Sequence, residues 1–197
     1  MSRVSKINRE TKETKIKLSI DVDGKGNNSI NTPVGFLNHM LTLFAFHSGI
    51  DINLEASGDI EVCDHHIVED IGISLGKALN EALGNKAGIN RYGTAFVPMD
   101  EALCQVVLDL SGRGFLHFDG EFKREQIGNF STEMVVEFFR AVAMNFNGTV
   151  HIRVLYGVND HHKIEGIFKA FGRALKEAVT IGNDANKVLS TKGTLSI

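Results

Sequence analysis

Two stretches decide how this chain is read: CDHHIVEDIG at residues 63–72 and NDHHKIEGIF at residues 159–168. The second begins 96 residues after the first, and both carry Asp-His-His-x-x-Glu. Aligned without gaps, 64–82 and 160–178 agree at ten of nineteen positions: Asp64, His65, His66, Glu69, Ile71, Gly76, Ala78, Leu79, Glu81 and Ala82 each match their partner. Helix-forming preference explains the shared Ala and Leu. It does not explain a shared polar signature, which points to internal duplication.

The flanking segments repeat the plan. KIKLSIDVD (15–23) alternates polar and apolar residues as a half-buried strand does, and GKGNNS (24–29) has the composition of a turn. PVGFLNHMLTLFAFHS (33–48) spaces its apolar residues at helical intervals, with Pro33 near the start and Gly49 just past the end. A strand-like IDINLEAS (50–57) follows, and the first Asp-His-His opens a helix over 65–83 that Gly84 ends. In the second half TAFVPM (94–99), LCQVVLDLS (103–111) and GFLHFDGEF (114–122) read as strands. STEMVVEFFRAVAMNF (131–146) reads as a helix with Ser131 as its N-cap. TVHIRVLYG (149–157) reads as a strand and HHKIEGIFKAFGRALKEAV (161–179) as the last helix. The expectation is an α+β chain of two similar halves, 1–88 and 89–182, sharing a core, with a tail at 183–197.

At a helix start, His65 and Glu69 stand at i,i+4 and His66 and Glu69 at i,i+3, so either pair can share a face. His161, His162 and Glu165 repeat the arrangement. Imidazole nitrogen with carboxylate oxygen suits Mn²⁺, Fe²⁺ or Zn²⁺, and without cysteine ligands nothing favours zinc. One such pair is commonly helix capping or surface polarity. Two copies with the same Glu offset, holding four of the eight histidines in the chain, point to metal. Adjacent histidines diverge by about 100° around a helix, so they serve two ions, or two subunits, more easily than one. His39 and Glu137 occupy corresponding helix positions, 26 residues before His65 and 24 before His161. Each half thus offers two His, one Glu and one further His or Glu, enough for two ions with positions left open for substrate. For Glu137 alone, a solvated helix face is the competing reading.

Charge and composition narrow the partners. A formal net charge of −3 gives a nucleic-acid partner no support. A small anion is different: Arg91, Arg113, Lys169 and Lys192, the last between Thr191 and Gly193, are the elements of a phosphate cradle, although each alone is an ordinary surface residue. The two cysteines, Cys63 and Cys104, form no CxxC and read as two buried thiols in a reducing cytoplasm. The N-terminal MSRVSKINRETKETK is polar, and no apolar run approaches the roughly 18 residues of a membrane span. A cytoplasmic protein with no membrane partner is expected.

With these residues collected, the chain resembles imidazoleglycerol-phosphate dehydratases along essentially its whole length. The resemblance rests on TKET (11–14), FLNHML (36–41), GDIEVCDHHIVEDIG (58–72), INRYG (89–93), PMDEAL (98–103), DLSGR (109–113), the DHHKIE helix running into FKAFGRAL (168–175), and TKG (191–193). It implies conversion of imidazole glycerol phosphate to imidazole acetol phosphate and water in histidine biosynthesis. It also implies two Mn²⁺ per site, 24 subunits with sites between them, and halves that are each a four-stranded sheet with helices on one face, ribosomal protein S5 domain 2-like. On the same basis His39, His65, His66, Glu69, His161, His162 and Glu165 become metal ligands, and His47 lines the substrate pocket; Glu137, by its helix position, is expected as a carboxylate ligand beside them. Glu13 becomes the acid/base, and Arg91, Arg113, Lys169, Thr191, Lys192 and Gly193 hold the phosphate. His39, His65, Glu69, His161 and Glu165 would also touch the substrate ring, whose nitrogens, bound as imidazolate, help expel the hydroxyl. Two positions depart from the family pattern: Glu137 stands where many relatives carry His, and Asn38 where Asp is common beside the helix His. Two other readings compete: a manganese phosphoesterase of the Asp-His-His type, which would need Asp-rich motifs and a GGGH that this chain lacks, and a metal-storage protein, for which the basic residues have no use.

Overall fold

The computed structural model describes residues 3–182 and 184–195. The first half contributes β1 (Val4–Glu10), β2 (Thr14–Asp21), β3 (Asn28–Asn31), α1 (Gly35–Ser48), β4 (Asp51–Gly58) and α2 (His65–Leu83). The second contributes β5 (Tyr92–Met99), β6 (Ala102–Asp109), β7 (Phe115–Asp119), a short hairpin of β8 (Gln126–Ile127) and β9 (Phe130–Ser131), α3 (Met134–Phe146), β10 (Thr149–Tyr156) and α4 (Asp160–Val179). The sheets have orders β1-β2-β4-β3 and β5-β6-β10-β7, so each strand of one half has a counterpart in the other. In both, the edge strand that pairs in parallel is reached through a helical crossover: β3–α1–β4 and β7–α3–β10. The β8–β9 hairpin belongs to the second half alone.

One face of each sheet is apolar. Ile16, Leu18 and Ile20 of β2 alternate inward, as do Cys104, Val106 and Leu108 of β6. The helices lie on these inner faces and pack on one another across the halves, α1 with α4 and α2 with α3. A chain of aromatic rings joins three helices: Phe44 stacks on Phe171 at 5.4 Å, Phe171 meets Phe139 at 5.2 Å, and Phe168 touches both Phe139 (4.9 Å) and Phe138 (5.3 Å). The halves therefore share one core.

Close helix contact depends on the duplicated glycine. A Cβ at Gly76 would stand 2.6 Å from the Val142 carbonyl oxygen, and one at Gly172 would stand 3.0 Å from that of Phe44. Val142 and Phe44 each lie five residues after Glu137 and His39, so the contact registers both helix pairs identically.

All four helices point the same way. Their N-termini gather around the β8–β9 segment: Phe36 meets Phe130, Asn129 donates to the Pro33 carbonyl, Asp64 binds Ser131, and Asp160 binds the amides of Lys123 and Arg124. Their C-termini gather at the other end, where Lys86 covers the Phe146 ring, Arg3 donates to the Val179 carbonyl and the Arg91 amide donates to that of Ala178. No helix among the described residues is long and apolar enough to cross a membrane.

Four expectations need correction. Residues 4–10 form a strand that the sequence pattern did not mark, and β3 takes the end of the segment read as a turn. Ser131 is not an N-cap: α3 starts at Met134 after Glu133, and the Ser131 amide and hydroxyl both donate to Asp64, at 2.6 and 2.8 Å. Cys63 is exposed, and Cys104 is the buried thiol of the two. Asn38, one of the two departures from the family pattern, exchanges hydrogen bonds with Thr32 and so shapes the entry to α1.

Candidate active site

Three sequence-marked ligands converge. His39 comes from α1, in the first half; His161 and Glu165 come from the first turns of α4, in the second. Their donor atoms lie within 4.8 Å of one another. Glu165 Oε2 is 3.1 Å from His161 Nε2 and 3.6 Å from His39 Nε2. The Phe36 ring meets His161 edge-on at 5.0 Å and limits its rotation. Two imidazoles and a carboxylate, with His39 exposed, make a donor set that fits a divalent ion with room for exogenous ligands. Burial raises the Glu165 carboxyl, but Lys169 at 2.6 Å and His161 outweigh it, and the group titrates below the ordinary carboxylate range.

The other half of the duplication holds the counterpart. His65 Nε2 lies 3.9 Å from Glu69. Glu137 bears the same register to this pair that His39 bears to His161 and Glu165, because each sits five residues before the carbonyl facing the duplicated glycine. Its carboxylate is taken up by Arg140 one turn away, and it does not join His65 and Glu69 here.

The second histidine of each motif rests on a carboxylate. His66 Nδ1 is 3.1 Å from Asp59 and 4.0 Å from Glu13; His162 Nδ1 is 2.6 Å from Glu101 and its Nε2 3.8 Å from Asp100. Asp59 holds the His66 imidazole above its usual pKa, and Glu101 does the same for His162. Glu101, hydrogen-bonded by His162 and by the amides of Asn159 and Val158, is held down at about 2. A carboxylate on Nδ1 leaves Nε2 free to face a metal and fixes the ring for it. Glu13 and Glu101 are counterparts too, one in each β-hairpin turn, β1–β2 and β5–β6. Asp59 and Glu101 were quoted within motifs, but no spacing rule assigned them a role.

The Asp of each motif is no ligand. Asp64 and Asp160 accept the backbone and side-chain hydrogen bonds noted above, so the two repeats together pin both ends of the loop inserted before α3.

The phosphate-type residues split. Arg91, Arg113, Thr191 and Lys192 line one cavity of about 1090 Å³ at the C-terminal end of the helices, with Ser190 and Lys187, and Gly193 lies in the same tail segment. Arg91 is fixed in place: Nε and Nη2 clasp Asp109 at 2.7 and 3.1 Å, Nη1 donates to the Leu189 carbonyl, and the guanidinium covers the Tyr92 ring, which leaves one N–H on each Nη for a further ligand. Lys169 lies elsewhere, beside Glu165. His47 stands near it on α1, in a cavity shared with Arg173; burial, Lys169 and Arg173 push its pKa down.

Comparison with known proteins fits this arrangement. Residues 32–175 match the family model described as imidazoleglycerol-phosphate dehydratase. The enzyme of that name from Clostridium botulinum is 61% identical over 194 residues, covering 98% of this chain and 99% of that one, and the Clostridium acetobutylicum enzyme is 56% identical over 193 residues, covering 98% of each. Among solved structures, imidazoleglycerol-phosphate dehydratase from Staphylococcus aureus superposes with a TM-score of 0.83 at 49% identity, over 91% of this chain and 99% of that one. The Pyrococcus furiosus protein, solved in complex with (S)-C348, gives 0.83 at 38% identity, over 95% and 99%. The chain therefore belongs to the imidazoleglycerol-phosphate dehydratase family, hydro-lyases of histidine biosynthesis.

Proposed function

We propose that this dehydratase works with two Mn²⁺ per site, held by His39, His161 and Glu165 with His66 or His162 of a neighbouring subunit, and by His65, Glu69 and Glu137 likewise, within a cytoplasmic homo-oligomer of 24 subunits. The observation that carries the reading is the convergence of His39 with His161 and Glu165 from opposite halves of the duplication. Bound ions would supply the positive charge that favours the imidazolate form of the substrate ring, whose electrons help break the C–O bond of the hydroxyl on the carbon attached to it. Glu13, exposed and 4.0 Å from His66, moves the proton of the adjacent carbon. Arg91, Arg113, Thr191, Lys192 and Gly193 hold the phosphate, and Lys169 and His47 approach it from the metal side.

The need for several subunits has a geometric support. Arg91 sits against Ala178 and the metal ligands end at Glu165, thirteen residues earlier on the same helix. At 1.5 Å per residue that is about 20 Å. Five bonds separate the substrate ring from its phosphorus, a reach of under about 8 Å. This distance supports the reading in which the cradle of one copy meets the metals of another.

The deciding experiment is turnover of imidazole glycerol phosphate by chelated protein before and after Mn²⁺ is restored. Activity absent without Mn²⁺ and recovered with it is expected; full activity in the chelated protein refutes the metal role.

A further inference from the structure

We propose that Asp70 is the positioning residue for Glu13, holding the β1–β2 turn against the metal-binding helix through Thr14 and Arg9. The inference rests on the reading of Glu13 as the proton-transferring group.

Asp70 follows Glu69 on α2 but points the other way, into the first sheet. It is 7% exposed. Its Oδ2 accepts the Thr14 hydroxyl at 2.5 Å, and its Oδ1 pairs with Arg9 Nη2 at 2.7 Å. Thr14 and Arg9 are on the two strands that the Glu13 turn joins. Within the turn, the Thr11 hydroxyl accepts the amides of Glu13 and Thr14, and the Glu13 carbonyl accepts the amide of Asp59, the carboxylate that holds His66. The Glu13 side chain is left exposed on a backbone fixed from both sides.

The duplication supplies an internal control. The counterpart of Asp70, 96 residues on, is Gly166. It faces the equivalent hairpin, where a Cβ would meet the Cys104 sulfur at 3.0 Å and the Val97 carbonyl. There the same helix lies on the same kind of hairpin with no carboxylate at the position of Asp70; its ionic contacts to the hairpin, from Lys169 and Glu177, lie further along the helix. The fold does not require the Asp70 network, and a half-buried ion pair, with the Arg9 side chain 31% exposed, is weak support for stability compared with apolar packing. The Arg9 side chain even leaves its Nε buried without a hydrogen-bond partner, which carries a desolvation penalty. Such a cluster, present only in the half that carries Glu13, fits a role in placing that carboxylate.

The test uses the Mn²⁺-loaded assembled enzyme. Asp70→Asn and Thr14→Val are expected to lower kcat roughly 10–100-fold, the cost of a misplaced catalytic group, with KM, metal content and particle size unchanged. Thr14→Ser, which keeps the hydroxyl, is expected to stay within about threefold of wild type. In a Glu13→Gln background Asp70→Asn should add almost nothing, since both changes disable one group. Multiplying losses in the double variant, or wild-type kcat in both Asp70→Asn and Thr14→Val, overturns the proposal while leaving the role of Glu13 intact. Full turnover by Glu13→Gln alone overturns that role, and the proposal with it. Should Asp70→Asn fail to fold, the Thr14→Val and Thr14→Ser pair decides: equal kcat in the two is the overturning result.

Discussion

A histidine is a metal ligand only in the tautomer and orientation that its other nitrogen permits, and here that nitrogen is claimed by an acid in each repeat. Glu101 is the more tightly engaged, at 2.6 Å from His162 Nδ1. Replacing it with Gln should weaken Mn²⁺ binding by ~10–100-fold, the usual effect of losing such a support; a metal titration of the variant checks this, and an unchanged affinity would remove Glu101 from the site. A pH effect follows as well. Glu101 is held below its ordinary value of 4.5, at about 2. A depressed carboxylate stabilises the folded state fully above the unfolded pKa, and that contribution fades as pH falls toward the folded one. The advantage of wild type over Glu101→Gln in denaturant melts should therefore be fullest between about pH 4.5 and 6.5, shrink below that window as Glu101 protonates, and decline above it as pH rises through the raised pKa of His162. The approach of His161 to Glu165 on one helix face was legible in the sequence because i,i+4 spacing predicts it. The supporting acids were not, because Asp59 and Glu101 reach their histidines through the fold of a loop and a hairpin rather than through any fixed offset.

Among the elements, legibility follows apolar content. α2 and α4 were bounded closely by their glycine, capping and periodic signals. β1 escaped because VSKINRE turns Ser5, part of Ile7 and the charged Arg9 inward, with Lys6 and Glu10 outward, and β3 because NSIN offers a single apolar residue. Ser131 looked like a cap since hydroxyls before apolar runs commonly are, yet Asp64 competes for it from another helix. Two predictions belong to this scale. Gly76→Ala places a methyl 2.6 Å from the Val142 carbonyl oxygen, and Gly172→Ala one 3.0 Å from that of Phe44. Both should destabilise by about 1–3 kcal/mol as overpacking does, Gly76 more than Gly172; equal stability to wild type in urea melts would show that the helices separate freely. Asp160 and Lys163 form a pair at 2.8 Å with side chains 1% and 6% exposed. Asp160→Ala strands a buried ammonium and frees the amides of Lys123 and Arg124, so a loss of about 3–5 kcal/mol is expected in the same melts.

At the scale of the whole molecule, the duplication sets two sheets around one helical layer and aligns the helices, so that chemistry built at helix starts and chemistry built beyond helix ends are kept apart. The tail cavity was partly legible, since Arg91, Arg113, Thr191 and Lys192 do meet there. The separation of Lys169 from them was not, because sequence distance says nothing about which end of a helix a residue serves. That separation reaches into genetics. With sites shared between subunits as proposed, chains disabled at opposite ends, for instance His161→Ala and Arg91→Ala, should each be inactive as uniform assemblies. Dissociated, mixed and reassembled, they should regain a fraction of wild-type turnover, since some sites then draw an intact half from each parent. Two metal-end variants mixed in the same way should regain none. Two damaged alleles of this one gene could thus sustain growth together where neither does alone.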